Sequence, residues 1–376
     1  MNDRTLNRPP TAIVVGGSLA GLMTSLTLSR VGVAVTLLER SGPGRSRGGG
    51  LLVSDGLVER VTGWGLVPGS PRVPTTLSGG MHSWHTIFTA LYAAVEHDPG
   101  VTVIHNARVT SADQGDSAAW ATADDGRVFR ADVVIGADGH RSVVRAAVAP
   151  SHPDATFAGY LVWIATMEET GLPESIRGHR AFDQNVFLGD DDAMLLGGSF
   201  PGEDGGTERG RRTIGWAVYD STHNDLLYRN GNVQGSVVHH SVSADEIPDE
   251  LAEQLARMGR GRWSPQWTEV MQASLRAGRV IGTPISEYVP HHVVNGRLAI
   301  VGDAAHVATP MTGSGFTQAL DDAEVLADVI EAAARRGLDG RLIADALLKY
   351  EKKRLRSAQS SVQSGQTFSR RFSPAA

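Results

Sequence analysis

Asp303 lies in a stretch whose residue types suit a sugar-like chain beside a flat ring: Gly302-Asp303-Ala304-Ala305-His306, then Pro310, Gly313, Ser314, Gly315 and Phe316, leading into Thr317-Gln318-Ala319-Leu320-Asp321-Asp322-Ala323. A carboxylate at a strand's end accepts hydrogen bonds from a polyol. Glycines let backbone approach a flat ligand, and a helix start offers unpaired N–H groups and the positive end of its dipole. In this order, such residues can hold a ribityl chain and meet negative charge developing on a flavin ring. They also describe a plain Gly/Pro loop between a strand and a helix.

Two further constellations bear on that choice. The first is Gly16-Gly17-Ser18-Leu19-Ala20-Gly21, followed by Glu39 and Arg40. A glycine turn opening a helix places a pyrophosphate at the helix N-terminus, and an acid at the end of the next strand can take an adenosine ribose. Ser18 stands where the second glycine of that fingerprint is usual, and a tight structural turn is the alternative. Glu39 disfavours a 2′-phosphate, which points to FAD or NAD rather than NADP. The second constellation is Gly136-Ala137-Asp138-Gly139-His140-Arg141-Ser142-Val143-Val144-Arg145. It reads either as a ligand-facing loop or as an Asp-Gly turn with Ser142 capping a helix. Arg45, Arg47 and Gly48-Gly49-Gly50 are either a surface loop or a phosphate-facing approach.

The elements that must carry these residues follow from periodicity and punctuation. Thr11 to Val15 is a β-branched strand, Leu22 to Arg30 a helix and Val33 to Leu38 the next strand, which makes a βαβ unit. Asp132 to Ile135 and Leu298 to Val301 are short buried strands leading into the two acidic motifs. Asp55 to Val61 reads as a short helix, and Pro68 to Gly80 has loop or edge-strand character. A helix starts at Ser83-Trp84-His85-Thr86, Val101 to His105 is a strand, and Val109 to Val128 alternates like small antiparallel strands. From about Tyr160 to Tyr288 the chain reads as an antiparallel sheet, with strands at 160–164, 182–188, 193–200 and 213–219, a turn at Gly189-Asp190-Asp191 and a helix over Asp249 to Met258. After Asp322 the chain is helical to about Ser357, interrupted at Gly337 to Gly340. The Lys349–Arg356 charges read as a solvated helix face, and Gln359 to Ala376 as a loosely ordered end.

Composition excludes several classes. The 376 residues carry a net charge of −6, which gives no electrostatic case for nucleic acid. Cysteine is absent, so there is no redox disulfide, thiolate nucleophile or thiolate metal site. Lysine occurs only at Lys349, Lys352 and Lys353, which argues against a core catalytic lysine. The pairs His239-His240 and His291-His292 do not chelate easily, because neighbours on a strand face opposite ways, so no metal is expected. No apolar run reaches membrane-spanning length, and the N-terminus leads directly into Pro9-Pro10 and a strand. The expectation is a cytoplasmic enzyme without a membrane partner, a homodimer being one possible assembly.

Taken together, Gly16–Gly21 with Glu39, Asp138-Gly139 with Ser142 and Arg145, and Gly302-Asp303 with Pro310, Gly313 and Gly315 resemble the FAD-dependent class A aromatic monooxygenases of the p-hydroxybenzoate hydroxylase type. Phe157-Ala158-Gly159-Tyr160 and the lack of an appended C-terminal domain look most like the 2,6-dihydroxypyridine hydroxylase branch. The resemblance implies an α/β fold: a Rossmann-like FAD-binding domain with an inserted antiparallel β-sheet substrate domain and a C-terminal helical region. The implied division is 1–159 for the first part of the FAD-binding domain, with 65–82 on the substrate side, then 160–288 for the substrate sheet, 289–330 for the second FAD part and 331–376 for helices and tail.

By the same resemblance, Gly16, Gly17, Ser18, Leu19, Ala20 and Gly21 cradle the FAD pyrophosphate and Glu39 holds the adenosine ribose, with Arg40 and Arg47 nearby. Asp138, Gly139 and Arg145 lie near the pyrophosphate and ribityl region, Gly302 and Asp303 hold the ribityl chain, and Pro310, Gly313 and Gly315 pass beside the isoalloxazine. NAD(P)H would reduce FAD, O2 would add at C4a, and the hydroperoxide would give one oxygen to an electron-rich aromatic or heteroaromatic ring. Backbone N–H groups of Ser314, Gly315 and Phe316 are candidates for stabilising charge on the flavin. Trp163, Phe187, Trp216 and Pro310 are the candidate ring contacts, although aromatics also build cores. His85, Tyr160 and Tyr219 are possible bases, and none is assigned. Two positions depart from the pattern: Trp84 stands where many relatives place arginine or glutamine, and Ile164 where the dihydroxypyridine branch carries arginine. Baeyer–Villiger oxygen insertion or epoxidation of a polycyclic substrate remains the alternative chemistry, and a non-catalytic flavin-binding protein the remote one. A halogenase would need a core lysine and a Trp-x-Trp-x-Ile-Pro motif, both absent.

Overall fold

The computed structural model describes residues 8–42, 49–65, 77–189, 193–202, 204–336 and 340–373. Arg45, Arg47 and Gly48, most of the Pro68 to Gly80 segment, the turn at Asp190-Asp191 and the break at Gly337 lie outside the described residues.

Two sheets organise the chain. The first has six strands in the order β17 (Val294–Asn295), β18 (Leu298–Ile300), β9 (Val133–Gly136), β1 (Thr11–Val15), β2 (Ala34–Leu38) and β5 (Val101–Ile104). All its pairings are parallel except β17 with β18. Strands β1, β9 and β18 are short apolar runs buried on both faces, as a parallel sheet covered by helices requires. Helices α1 (Leu19–Arg30), α3 (Trp84–His97) and α8 (Gly315–Ala334) pack with this sheet in one hydrophobic core. The acidic motifs follow β2, β9 and β18, so the strand order brings their C-terminal ends side by side.

The second sheet is antiparallel, ordered β11 (Val186–Gly189), β12 (Ala193–Pro201), β13 (Arg212–Asp220), β10 (Thr156–Glu168) and β16 (Ile281–Glu287). Alternation splits it into two faces. One buries Leu161, Trp163, Leu195, Trp216 and Val218 under α6 (Asp249–Met258) and α7 (Pro265–Arg276). The other turns Tyr160, Val162, Ile164, Met194, Leu196 and Tyr219 toward Met311, Phe368 and Phe372.

Smaller units flank the sheets: the hairpin β3 (Gly50–Val53) and β4 (Gly80–Ser83), the three strands β6 (Val109–Gln114), β7 (Ala119–Ala123) and β8 (Val128–Ala131), the pair β14 (Val233–Gln234) and β15 (Val237–Val238), and the short helices α2 (Leu57–Thr62), α4 (Val143–Val148) and α5 (Asn224–Arg229). No helix of the described residues is long and apolar enough to cross a membrane.

The expectation of a loosely ordered end is corrected: α9 runs from Gly340 to Phe372 as one helix of 33 residues. Its last turns bury Val362, Ser369 and Phe372 against the second sheet and the Thr309 loop, contacts between distant segments that local composition does not reveal. The Lys349–Arg356 run is likewise only partly solvated, because Arg354 is buried.

Candidate functional site

The first turn is built by close contact. Gly16 adopts φ +104°, where glycine carries no steric cost, and a Cβ at Gly21 would lie 1.8 Å from the Gly16 carbonyl oxygen. Helix α1 therefore starts against the strand end. Ser18 occupies the N-cap in extended conformation without a side-chain cap hydrogen bond, so the cap supplies no acceptor for the N–H groups of the first turn. Glu39 is buried, its carboxylate accepting from Gly17 N–H and Ser41 N–H, each at 2.8 Å. Arg40 follows, exposed.

The Asp138 segment is braced by its own hydrogen bonds. Asp138 accepts from Ser142 Oγ at 2.5 Å and Val143 N–H at 2.7 Å, and Ser142 caps α4 through Arg145 N–H. Burial raises the Asp138 carboxyl above its ordinary range, against these hydrogen bonds. Arg145 is buried beneath the loops, donating to the carbonyls of Pro153 at 2.6 Å, Ala304 at 3.2 Å and Asp303 at 3.4 Å, and to that of His140. Its guanidinium also lies 4.4 Å from the Tyr288 ring centroid. Its donors face backbone carbonyls and tie the second motif to the third.

His140 carries a signal that motif spacing missed. Its Nε2 is buried without a hydrogen-bond partner among the described residues. Burial holds the imidazole below its usual range, reinforced by Arg141, Arg145 and Arg40 and opposed by Asp303. The charges of three loops therefore converge on this ring.

The third motif rests on a buried ionic knot. Gly302 takes φ +57°, and a Cβ there would come within 2.8 Å of Ala20 Cβ, so this turn touches the first. Asp322 Oδ2 accepts from Gly302 N–H at 2.9 Å and lies 2.7 Å from His306 Nε2, while Oδ1 accepts from Arg354 Nε at 2.7 Å. Burial opposes the charge on both members of the acid–imidazole pair, but mutual attraction wins. Asp322 is held below the usual carboxyl range by His306 and Arg354, and His306 above the usual imidazole range by Asp322. Asp303 is left exposed at the strand's end.

Beyond it, Thr309 is buried and Pro310 exposed, and Gly313 turns the chain at φ +60° into α8. Ser314 caps α8 without a side-chain hydrogen bond to it, its hydroxyl instead linking Thr312 and Ser361 at 2.8 Å each. The start of a 20-residue helix at Gly315 is thus open to a ligand.

The candidate ring contacts divide. The structure does not bring Trp163 and Trp216 to the face near Met311: Trp163 Nε1 donates to Asp220 and Trp216 Nε1 to Ser274, both rings buried on the opposite face. Alternation decides this, because neighbours along a strand face opposite ways. Phe187, on the edge strand and 60 % exposed, pairs with Leu196 and shares its face. Sequence reasoning missed Met194, Leu196, Met311 and Phe368, which have no polar signature to mark them. Tyr160 Oη hydrogen-bonds Thr309 Oγ1 at 2.6 Å and Ser369 Oγ at 3.0 Å, and burial pushes its hydroxyl up to about 12. Tyr219 is also raised by burial, so both phenols stay protonated near neutrality. His85 is exposed at the start of α3. Trp84 stacks on Phe88 with centroids 4.9 Å apart.

A family model described as an FAD binding domain matches residues 269–365. The 2,6-dihydroxypyridine 3-monooxygenase of Paenarthrobacter nicotinovorans is 27 % identical over 332 residues, covering 84 % of this chain and 81 % of that protein. Among solved structures, 2,6-dihydroxypyridine-3-hydroxylase from Arthrobacter nicotinovorans superposes with TM-score 0.76 at 24 % identity, covering 98 % of this chain and 95 % of that one. HpxO of Klebsiella pneumoniae, complexed with FAD and uric acid, gives TM-score 0.68 at 20 % identity over 99 % and 91 % of the two chains. In sequence and in fold, this chain is similar to FAD-dependent monooxygenases and hydroxylases.

Proposed function

We propose that the enzyme uses NAD(P)H and O2 to hydroxylate an electron-rich aromatic or heteroaromatic ring held between the antiparallel sheet and the Pro310–Phe316 loop. The observation that carries this reading is the contact between the two glycine turns. Gly302 lies against Ala20, which sets the open N-terminus of α1 beside Asp303, as a pyrophosphate followed by a ribityl chain requires.

The residues present fit FAD. Gly16, Gly17, Ser18, Leu19, Ala20 and Gly21 would hold the pyrophosphate, Glu39 the adenosine ribose and Asp303 the ribityl chain, with the unpartnered His140 Nε2 available on the same side. Asp138, Gly139 and Arg145 would act by fixing these loops. When bound, FAD supplies the redox chemistry linking NAD(P)H and O2 to oxygen transfer. The protein orients the ring over Pro310, Met311 and Gly313, excludes water with the half-buried apolar face of the sheet, and offers the N–H groups of Ser314, Gly315 and Phe316 to negative charge. With Tyr160 and Tyr219 protonated, their hydroxyls serve as donors rather than bases. The 2,6-dihydroxypyridine 3-monooxygenase relative supports ring hydroxylation over Baeyer–Villiger insertion or epoxidation.

The test is anaerobic reduction of the bound flavin by NADH and by NADPH, with and without hydroxylated pyridines, phenols and polycyclic quinols. An aromatic that strongly accelerates reduction supports the reading. Fast reduction without any aromatic moves it toward a reductase or a Baeyer–Villiger enzyme.

A further inference from the structure

The face of the antiparallel sheet turned toward Met311 is defined by register. Leu196 pairs with Ala217, Ala217 with Ile164 and Met194 with Tyr219, so these side chains project together. Ile164, Met194, Leu196, Ala217, Met311 and Phe368 are half-buried and pack on the fully buried Tyr160, Val162 and Tyr219. This is the partly open apolar surface a flat ring would cover.

None of these residues is charged. At the edges of this face lie two acids, Glu287, accepting from Ser369 Oγ behind Tyr160 and with Arg370 nearby, and Glu168, paired with Thr213 Oγ1 at the far end of β10. Of the buried arginines, Arg145 is engaged by backbone carbonyls and Arg212 by Glu169 and Asp183. A carboxylate laid on the ring face would thus lose water against apolar side chains that offer it no cation, while Arg370 at the edge already faces Glu287. Moving an ionised group into such surroundings without a partner is strongly unfavourable. An uncharged ring carries no such penalty.

We infer that the substrate is an uncharged, predominantly apolar hydroxylated ring system, and that rings bearing a carboxylate are rejected at this face. This rests on the hydroxylase reading above, because it takes this face to be the ring site.

The test is direct binding to the flavin-loaded enzyme, by calorimetry and by perturbation of the flavin spectrum, of 2-naphthol and of 3-hydroxy-2-naphthoate at neutral pH. The expected result is a Kd for the naphthol at least about a hundredfold lower. Ile164→Arg should shrink that ratio by about tenfold or more while still retaining flavin. If that variant loses flavin, Leu196→Arg on the same face carries the same test. Equal or tighter binding of the carboxylate by the unmodified enzyme overturns the inference, as does failure of both ligands to bind or a ratio unmoved in a flavin-retaining arginine variant. Failure to retain FAD at all would instead overturn the hydroxylase reading itself, so the two failures are distinct.

Discussion

Gly21 and Gly315 are glycines for different reasons, and the difference can be measured. A Cβ at Gly21 would collide with the Gly16 carbonyl, whereas one at Gly315 meets nothing within 4 Å and its backbone has no positive φ. Gly21→Ala should therefore displace α1, costing about 1–3 kcal/mol and lowering flavin retention together with the urea midpoint. Gly315→Ala should leave the apoprotein within about 0.5 kcal/mol yet weaken FAD roughly tenfold, because its only crowded neighbour would be the ligand. Equal losses at both positions would mean that the α8 start does not approach the flavin. Arg145→Lys belongs at this scale too. It keeps the charge but not the planar fork reaching several carbonyls, and should cost about 1–3 kcal/mol through carbonyls left unpaired, read as a lower unfolding midpoint.

At the scale of elements, the Asp322 knot joins the end of β18 to α8 and α9. Asp322→Asn would strand His306 and Arg354 in the interior and should destabilise the fold by about 3–5 kcal/mol, as measured by denaturant unfolding. Its pH dependence has a definite sign. The His306 imidazole is raised above its ordinary range, so its contribution is complete below the unfolded value of about 6.5 and disappears as pH rises through the higher folded value. Asp322 is lowered, so its contribution is present above the unfolded value of about 3.9 and is lost as pH falls through the folded one. The stability advantage of the unmodified protein over His306→Gln should shrink on the alkaline side; an advantage that grows with pH would contradict the assignment.

The strands, the glycine turns and the N-caps at Ser83 and Ser142 were legible because each is written in a few neighbouring residues. Asp322 pairing with Arg354 was not, since 32 positions separate them and each also fits a solvated helix. Trp163 and Trp216 show the same limit: alternation separates the two sides of each strand, but only register and packing under α6 and α7 put both rings on the covered face.

At the scale of the whole molecule, α9 holds the two sheets together. Glu351 accepts from Val293 and Val294 N–H beside the parallel sheet, Ser361 meets Ser314, Gly365 packs on Thr309, and Ser369 and Ser373 bond Tyr160 and the Gly159 carbonyl. Deleting residues 359–373 removes the buried Val362 and Phe372, each worth about 1.5–3 kcal/mol, and also uncovers the Tyr160 hydroxyl. The expected result is a marked fall in thermal midpoint together with loss of ring binding. Unchanged ring affinity would show that the helix only covers the sheet.

Helix α9 follows, in chain order, every strand it fastens. On the ribosome, both sheets can therefore emerge and fold before the wall behind the ring site exists. A chain that has emerged only as far as both sheets would leave the Tyr160 face uncovered and open to water. With the fastening helix placed after the sheets, the space between them is closed only once α9 has emerged and docked.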